Sequence, residues 1–551
     1  MTELEIQEKR AEVSNGFTSG VLILTISAVI VKIIGLIYKI PMLTLLGSEG
    51  MGYFNSAYEI YTLFGVVSTA GLPVAMSVLI SRSRCGGHFT EKKIFSSAMS
   101  LFLAVGVVGS ILMLLLAPLF SEVLGSRNAI YCLIAISPTV FFICIVGVYR
   151  GFFQGLGQMR ETAISQVVEA VLKLVLGLIF AYVAVRRGYS APVVAAFGVM
   201  GLVVGIAASA LYLALSKRAY GRGGDGERAC VAKEEDAAHR QGGIALACRQ
   251  ECRDTSRRQI CRELLLIAVP IALSSAVISV TKIIDMTVIL RRMQDIGYTA
   301  AEAFSAYGGY TTLVLPLFSL APALVSSVAL PLVPSLSSCV AVGDRDGQVE
   351  VVGNALRLTS VLAMPISLGL SLFSREILTL IFVGQEDAVT LCAPLLSILA
   401  LSVPLACFIT VENAVLHAYS SATLPIISML AGSCLKLILA YFLIGNPAVS
   451  IAGAPISTFF CDLVINAINL YFIARKLPRS IPFSVVAKPF FAAFISVGVA
   501  RIVLSALTAR FGESSLITLA TIGFCAVIYL PSALLLNLNL KNDTYKKGSQ
   551  K

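Results

Sequence analysis

The chain has 551 residues, of which 57% are hydrophobic and 13% are charged, and its mean hydropathy is +0.87. Soluble domains are about 45–50% apolar and about 25% charged, so this composition excludes that class and indicates a polytopic membrane protein. The formal net charge of +11 is expected to lie mainly in loops on one side of the membrane. Because the basic residues are not gathered on a folded soluble domain, nucleic acid is not expected as a partner.

The predicted elements are all helices. The first sixteen residues are polar and lack the basic segment and cleavage site of a signal peptide, so the first span should be retained. A spanning helix needs about 20 apolar residues. By that measure the sequence predicts about fourteen transmembrane helices, near 17–40, 53–80, 94–118, 128–153, 161–185, 190–216, 263–290, 303–335, 351–373, 389–416, 422–445, 450–474, 482–507 and 515–538. The span at 303–335 contains four prolines and is expected to be bent or broken.

An internal repeat divides these spans into two halves. VKIIG at 31–35 matches TKIID at 281–285, and VLKLVLG at 171–177 matches CLKLILA at 434–440, with offsets of 250 and 263 residues. A duplicated helical bundle with intramembrane charge is how many transporters are built, with the site between the halves. The predicted segments are a tail at 1–16, an N-lobe of six helices at 17–216, a polar linker at 217–262, a C-lobe of six helices at 263–475, two further helices at 482–540 and a tail at 541–551.

The basic loops predict the orientation. If the spans alternate, the basic residues of 81–93, 217–262, 475–479 and the C-terminal tail fall on one side, so both termini and the linker should be cytoplasmic. Arg291 and Arg292 fall on the other side, as do Arg186 and Arg187. They indicate either a miscounted span or outer-side cations that are kept for an anionic ligand.

The first two spans contain charged residues inside apolar sequence. Lys32 and Lys39 are seven residues apart, so both project from one helical face. Each charge near the bilayer centre costs about 2.5–3.5 kcal/mol on insertion scales. We therefore predict that Lys32 lines a polar cavity, whereas Lys39 either does so or extends to the interface. Glu59 is the expected partner of these lysines, either in a static salt bridge or in a pair that opens to admit an anion.

Later spans contain further charges. Lys282 and Asp285 are three residues apart, so they either line the same cavity or neutralise each other. Glu169 and Lys173 are four residues apart, in the favourable order on a helix. Lys436 repeats Lys173, but Gly432 replaces the acid. We interpret Glu169, Lys173 and Lys436 as mainly structural or interfacial.

The sequence contains no enzyme signature. GxSxG, HExxH and P-loop motifs are missing, and the chain has only three histidines. We therefore predict no catalytic residue, no cofactor and no metal. The thirteen cysteines are scattered and are expected to act as small hydrophobic residues. The spacing of Cys248 and Cys252 fits no common zinc module.

Three stretches carry a family resemblance: 16–81, YRGFFQGLGQMRETAISQVVEAVLKLVLG at 149–177 and LPLFSLAPALVSSVALPLVPSLS at 315–337. They resemble the stage V sporulation protein B-like family, a polysaccharide-transport branch of the multidrug/oligosaccharidyl-lipid/polysaccharide (MOP) flippase superfamily, which also contains the MurJ lipid II flippases and the MATE exporters. The resemblance implies two six-helix lobes around a central cavity, two further helices, and an undecaprenyl-pyrophosphate-linked sugar as substrate. For this family a peptidoglycan precursor is expected.

The resemblance also exposes a departure. MurJ-like relatives have cavity arginines on the first, second and eighth helices. Here the corresponding positions are Tyr38–Lys39, Tyr58–Glu59 and AYGGYTT at 306–312, without arginine. Contacts with pyrophosphate are thereby left to Lys32, Lys39 and Lys282, and the two last spans are expected to hold the lipid tail.

Two other functions remain open. One is a cation-coupled multidrug exporter of the MATE branch, which would use membrane-buried carboxylates such as Glu59, Asp285 and Glu412. The other is a membrane scaffold that recruits cell-wall synthesis enzymes and transports nothing itself. The leading hypothesis is a plasma-membrane flippase whose partners are the lipid-linked sugar, the bilayer and possible wall-synthesis enzymes.

Overall fold

The computed structural model describes residues 3–69, 71–84, 90–222, 257–419, 421, 423–477, 484–512 and 514–538. Every regular element within these ranges is a helix, so the predicted all-α fold is confirmed. The chain divides into two compact units, residues 1–287 and 288–551. Most of the predicted linker (223–256) and the tail at 541–551 lie outside the described residues. The lobe boundaries at 216 and 263 remain predictions.

The described residues of the first unit form seven α-helices and most of an eighth. They are α1 (Glu3–Thr69), α2 (Leu72–Arg84), α3 (Glu91–Val123), α4 (Ile130–Ile136), α5 (Thr139–Gly155), α6 (Met159–Arg186), α7 (Ala191–Arg222) and α8 (Arg257–Asp295). The division between the units falls inside α8, after Thr287.

The second unit contains the remaining helices. They are α9 (Ala300–Gly309), α10 (Leu315–Val342), α11 (Arg345–Leu372), α12 (Ser374–Ile381), α13 (Glu386–Ala400), α14 (Val403–Ala418), α15 (Thr423–Ile444), α16 (Gly453–Lys476), α17 (Ser484–Phe511) and α18 (Ser515–Leu538). A π-helical turn at Tyr310–Val314 joins α9 to α10. This turn precedes all four prolines and the chain is helical on both sides of it, so the expected bend or break remains a prediction.

Within the described residues, ten helices are long and apolar enough to cross a membrane. An eleventh span is obtained if α13 and α14, which are bent by 45° relative to each other, are counted as one. The sequence predicted a single span at 389–416, and the break at Leu401–Ser402 was missed. A count of fourteen is compatible with the fold, because α1 alone covers two predicted spans.

The 67-residue element α1 is a pair of helices that folds back on itself. In a straight helix, residues sixteen positions apart are separated by about 24 Å. The ring centroids of Tyr38 and Phe54 are only 6.1 Å apart, although these residues are sixteen positions apart. The turn lies at Gly47, whose backbone has φ 67° and ψ 175°. Because that conformation disfavours residues with a Cβ, glycine permits the reversal.

Glycines on α6 and α7 bring these two helices into close contact. A Cβ at Gly201 would overlap the Cα and nitrogen of Gly177, and a Cβ at Gly205 would lie 2.9 Å from the carbonyl oxygen of Glu169. Small residues allow helix backbones to approach in this way inside a membrane. Ser27 on α1 donates to Oε1 of Gln166 on α6 at 3.2 Å. The middle of α6 is therefore held between α1 and α7.

The two C-terminal helices of the second unit pack against α11 and the helices beside it. Phe373, which follows α11, forms a buried apolar cluster with Val497, Ala500 and Leu504 of α17. The Tyr529 hydroxyl of α18 donates to the carbonyl oxygen of Val361 at 2.8 Å. The predicted appendage is therefore packed against the core of its unit.

We expect Gly71→Ala to destabilise the first unit. A Cβ at position 71 would overlap the backbone carbonyl of Ala268 on α8, and overpacking of this kind typically costs about 1–3 kcal/mol. The midpoint of thermal inactivation of the purified protein should therefore fall by several degrees. Gly353→Ala on α11 is the control, because a Cβ there meets no atom within 4 Å. Equal midpoints for the two variants would contradict the close contact between Gly71 and α8.

Candidate functional site: a charged cluster in the first unit

The reversal of α1 turns two aromatic–charged pairs of residues toward α6. Tyr38 and Lys39 precede the turn at Gly47, and Tyr58 and Glu59 follow it. Tyr38 is 3% exposed, whereas the other three side chains are partly buried. Two of the three positions that the resemblance matches with arginine sites therefore lie close together, Lys39 being within electrostatic range of Glu59.

Lys173 of α6 lies against these pairs. Its Nζ is 4.9 Å from the ring centroid of Tyr58 and 5.5 Å from that of Tyr38, within the range of a cation–π interaction. Lys39 lies within electrostatic range of both Lys173 and Glu59. Lys173 and Lys39, which come from different helices, thus form a like-charged pair beside one carboxylate.

An arginine that the sequence analysis did not select completes the cluster. Nη2 of Arg150 on α5 donates to Oε2 of Glu169 on α6 at 2.8 Å. Its Nε donates to Oγ of Ser165 at 3.0 Å, and Nη2 also reaches Oγ of Ser209 on α7 at 3.4 Å. Arg150 therefore links α5 to α6 and α7. It forms an ion pair with Glu169, which lies one helical turn before Lys173.

The cluster has one more cation than it has carboxylates. Lys39, Arg150 and Lys173 contribute three positive charges, and Glu59 and Glu169 contribute two negative ones. Arg150 and Glu169 neutralise each other by direct contact. The remaining charge lies on the two lysines near Glu59, so this part of the cluster is suited to an anion.

The other lysines of the predicted site differ from these in exposure. Lys32 on α1 and Lys282 on α8 are exposed, and Asp285 is partly buried. The placement of Lys32 and Lys282 in a substrate cavity therefore remains a prediction. Glu169 and Lys173, which were interpreted as structural or interfacial, lie at the centre of the cluster.

The predicted outer-side cations differ in their surroundings. Arg291 is exposed. Arg292 forms an ion pair with Asp295 at 2.7 Å, and its Nε donates to the carbonyl oxygen of Tyr441 on α15 at 3.1 Å. Its guanidinium also lies 4.2 Å from the Tyr441 ring centroid. Arg292 thus links the ends of α8 and α15, and these contacts provide a structural role.

The second unit has a more acidic polar region, which includes the helix that the predicted repeat matches with α6. Lys436 on α15 lies within electrostatic range of Asp462 on α16, so a neighbouring helix supplies the acid that Gly432 replaces in the repeat. Glu412 on α14 is 2% exposed, and its Oε2 accepts no hydrogen bond from the described residues. Asn469 on α16 lies within hydrogen-bonding reach of this carboxyl group.

Sequence reasoning missed Arg150 and Asp462, and it noted Tyr38 and Tyr58 as departures from arginine without predicting their contact with Lys173. Arg150 had a detectable signal, because it lies in an apolar stretch where a charge is costly. Tyr38 and Tyr58 had none in the pattern of charges, because their role depends on the reversal of α1.

Comparison with known proteins identifies relatives of the chain. Residues 17–340 match the family described as "Polysaccharide biosynthesis protein". Lipid II flippase MurJ of Bacillus subtilis (strain 168) is 25% identical over 450 residues, which are 77% of each chain. Stage V sporulation protein B of the same organism is 24% identical over 539 residues, which are 96% of each chain.

Solved structures agree with the fold. Lipid II flippase MurJ in an inward closed conformation matches with a TM-score of 0.68 and 15% identity, over 94% of this chain and 99% of that chain. An inward-facing multidrug resistance MATE family transporter of the MOP superfamily matches with a TM-score of 0.57 and 16% identity, over 80% of this chain and 98% of that chain. The predicted MurJ/MATE-like architecture is thereby confirmed.

We expect Arg150→Gln and Glu169→Gln each to destabilise the first unit. Either change leaves a partly buried charge without its oppositely charged partner, at a cost of about 1–3 kcal/mol. The double variant should be more stable than the sum of the two single effects predicts, as measured by thermal inactivation midpoints. Arg160→Gln, at an exposed position on α6, is the control. Additive effects would mean that the ion pair does not couple α5 to α6.

Proposed function

Because the chain belongs to the polysaccharide biosynthesis protein family, within the flippase branch of the MOP superfamily, we propose that it transports a lipid-linked saccharide by alternating access. The proposed substrate is an undecaprenyl-pyrophosphate-linked oligosaccharide, and a peptidoglycan precursor such as lipid II is the leading candidate. The similarity to a lipid II flippase and to a sporulation protein supports this choice and suggests the spore cortex as one destination.

The surplus of cations in the first unit is the observation that carries this proposal. A pyrophosphate group presents several anionic oxygens, and ammonium groups bind such oxygens through charge-assisted hydrogen bonds. Lys39 and Lys173 come from different helices and lie within electrostatic range of each other. A bound anion would relieve their repulsion, which an empty apolar environment does not screen.

The proposed transport cycle requires binding that is moderate. A headgroup held by every available cation would be released slowly, so an internal carboxylate that competes for those cations favours turnover. Glu59 lies within electrostatic range of Lys39 and is suited to this role. The Arg150–Glu169 pair would keep α5 and α6 in place while the lysines exchange partners.

The proposed location is the plasma membrane, with both termini and the 217–262 linker in the cytoplasm, as the basic loops predict. In this orientation the substrate enters from the side on which lipid-linked precursors are assembled. Wall-synthesis enzymes are possible partners under this proposal.

A cation-coupled exporter is the second candidate function, and one observation favours it. Glu412 is a buried carboxyl group with an oxygen that accepts no hydrogen bond from the described residues, and such groups often bind protons or cations inside membranes. Under this alternative, Glu412→Gln should abolish export of a fluorescent cationic dye from cells. Dye export by the wild type that depends on Glu412, without movement of lipid-linked sugar, would favour the exporter over the flippase.

We expect purified protein in liposomes to move a fluorescent lipid-linked precursor to the opposite leaflet, where an added enzyme modifies it. Lys39→Gln and Lys173→Gln should each lower the rate by about tenfold or more, because each removes a charge-assisted contact with the headgroup. Lys92→Gln, at an exposed position on α3, should transport normally. Wild-type protein that moves no precursor would contradict the proposed function.

The exposed lysines permit a separate prediction. If Lys32 and Lys282 belong to the substrate path, the Lys32→Gln, Lys282→Gln double variant should fail to complement a flippase-depleted strain at normal membrane levels. Lys32→Arg should be partly active, because a planar guanidinium does not reproduce a compact ammonium. Full complementation by the double variant would restrict the anion site to the Lys39–Lys173 cluster.

A further inference from the structure

The Lys173 ammonium lies against two aromatic rings and within electrostatic range of the Glu169 carboxylate. Two tyrosine rings face its ammonium group at 4.9 and 5.5 Å. Glu169 lies one turn earlier on the same helix, and its Oε2 accepts a hydrogen bond from Nη2 of Arg150 at 2.8 Å. The charge of Lys173 is thus stabilised but is not cancelled by direct contact.

The two rings are held in place by their own neighbours. Tyr38 lies 6.1 Å from the Phe54 ring, and Tyr58 lies 5.9 Å from the Tyr61 ring. The Tyr38 hydroxyl lies over Gly177, where a Cβ would be 2.8 Å away. The aromatic bracket, defined as Tyr38 and Tyr58, is therefore built by the reversal of α1 and by the absence of a side chain on α6.

The bracket holds Lys173 beside a second cation. Lys39 lies within electrostatic range of Lys173, and the two like charges repel each other. A ring attracts an ammonium group more weakly than phosphate oxygens do. An anion that enters next to both lysines would therefore remove the repulsion and offer Lys173 a stronger partner.

We propose that Lys173 is a switchable anchor for the anionic headgroup. It rests on Tyr38 and Tyr58 in the empty protein and leaves the rings for a phosphate oxygen when substrate is bound. This inference rests on the proposed function, because it assigns the substrate's pyrophosphate to that oxygen. The rings compete with the substrate, and this competition limits affinity and assists release.

The competition predicts opposite effects for two substitutions of Tyr58. Tyr58→Leu removes one ring from the empty state, so farnesyl pyrophosphate should bind about two- to fivefold more tightly while turnover of the lipid-linked precursor falls. Tyr58→Trp offers Lys173 a more attractive ring, so binding should weaken by a similar factor. Tyr58→Phe keeps an aromatic face and is the matched control, with affinity close to that of the wild type.

A double-mutant cycle isolates the role of Lys173. Binding of farnesyl pyrophosphate to protein in nanodiscs should weaken about tenfold or more in Lys173→Gln. In that background, Tyr58→Leu and Tyr58→Trp should have no further effect. Weaker binding by Tyr58→Leu, or Tyr58 effects that persist without Lys173, would overturn the switch.

The outcomes distinguish this inference from the function on which it rests. Normal transport by the wild type, together with insensitivity to Tyr58, would overturn the switch and leave the flippase proposal intact. The predicted Tyr58 pattern in a protein that transports no precursor would support the switch and overturn the flippase proposal. A wild type that neither binds farnesyl pyrophosphate nor moves the precursor would overturn both.

Discussion

The close approach of α6 and α7 is the contact on which the charged cluster depends. Glycines at 177, 201 and 205 bring the two backbones together, and the carbonyl of Glu169 and the nitrogen of Lys173 lie at this contact. A larger residue at 201 or 205 would push α6 away from α7, and one at 177 would overlap the Tyr38 hydroxyl of α1. Because the Lys173 ammonium is placed against two rings from α1, even a small shift would change its electrostatic surroundings. A stripe of small residues thus controls a site to which it contributes no chemistry.

The first unit stabilises intramembrane charge in two ways, by an ion pair and by aromatic rings. Arg150 and Glu169 form a direct pair, and such a pair is inert toward ligands as long as both partners remain. Lys173 is stabilised by rings that have no net charge, so its field remains available to an incoming anion. One arrangement provides rigidity and the other provides a binding group, although Glu169 and Lys173 are a single helical turn apart.

Sequence reasoning predicted much of the fold, because the length and apolar character of a span are local properties. The spans at 161–185 and 190–216 correspond closely to α6 and α7. The break between α13 and α14 was missed, although Ser402 lies in it and Pro404, a residue that favours the first turn of a helix, follows it. The site was predicted less well. Lys39 and Glu59 are in the cluster, but the importance of Lys173 depends on rings that are far away in the sequence. The acidic partner of Lys436 was also not predicted, because Asp462 lies on the neighbouring helix α16. The sequence pattern along α15 gives no information about residues on another helix.

The reversal at Gly47 has a consequence for how the chain is inserted during synthesis. The two arms of α1 contact each other through residues that are only sixteen positions apart, so this hairpin can form before α6 leaves the ribosome. Lys39 and Glu59 lie on opposite arms and within electrostatic range. A hairpin that enters the bilayer as one body brings both charges across the interface together, with their opposite signs already close. The translocon would then receive a nearly neutral pair, and the cation of α6 would join its aromatic neighbours only later.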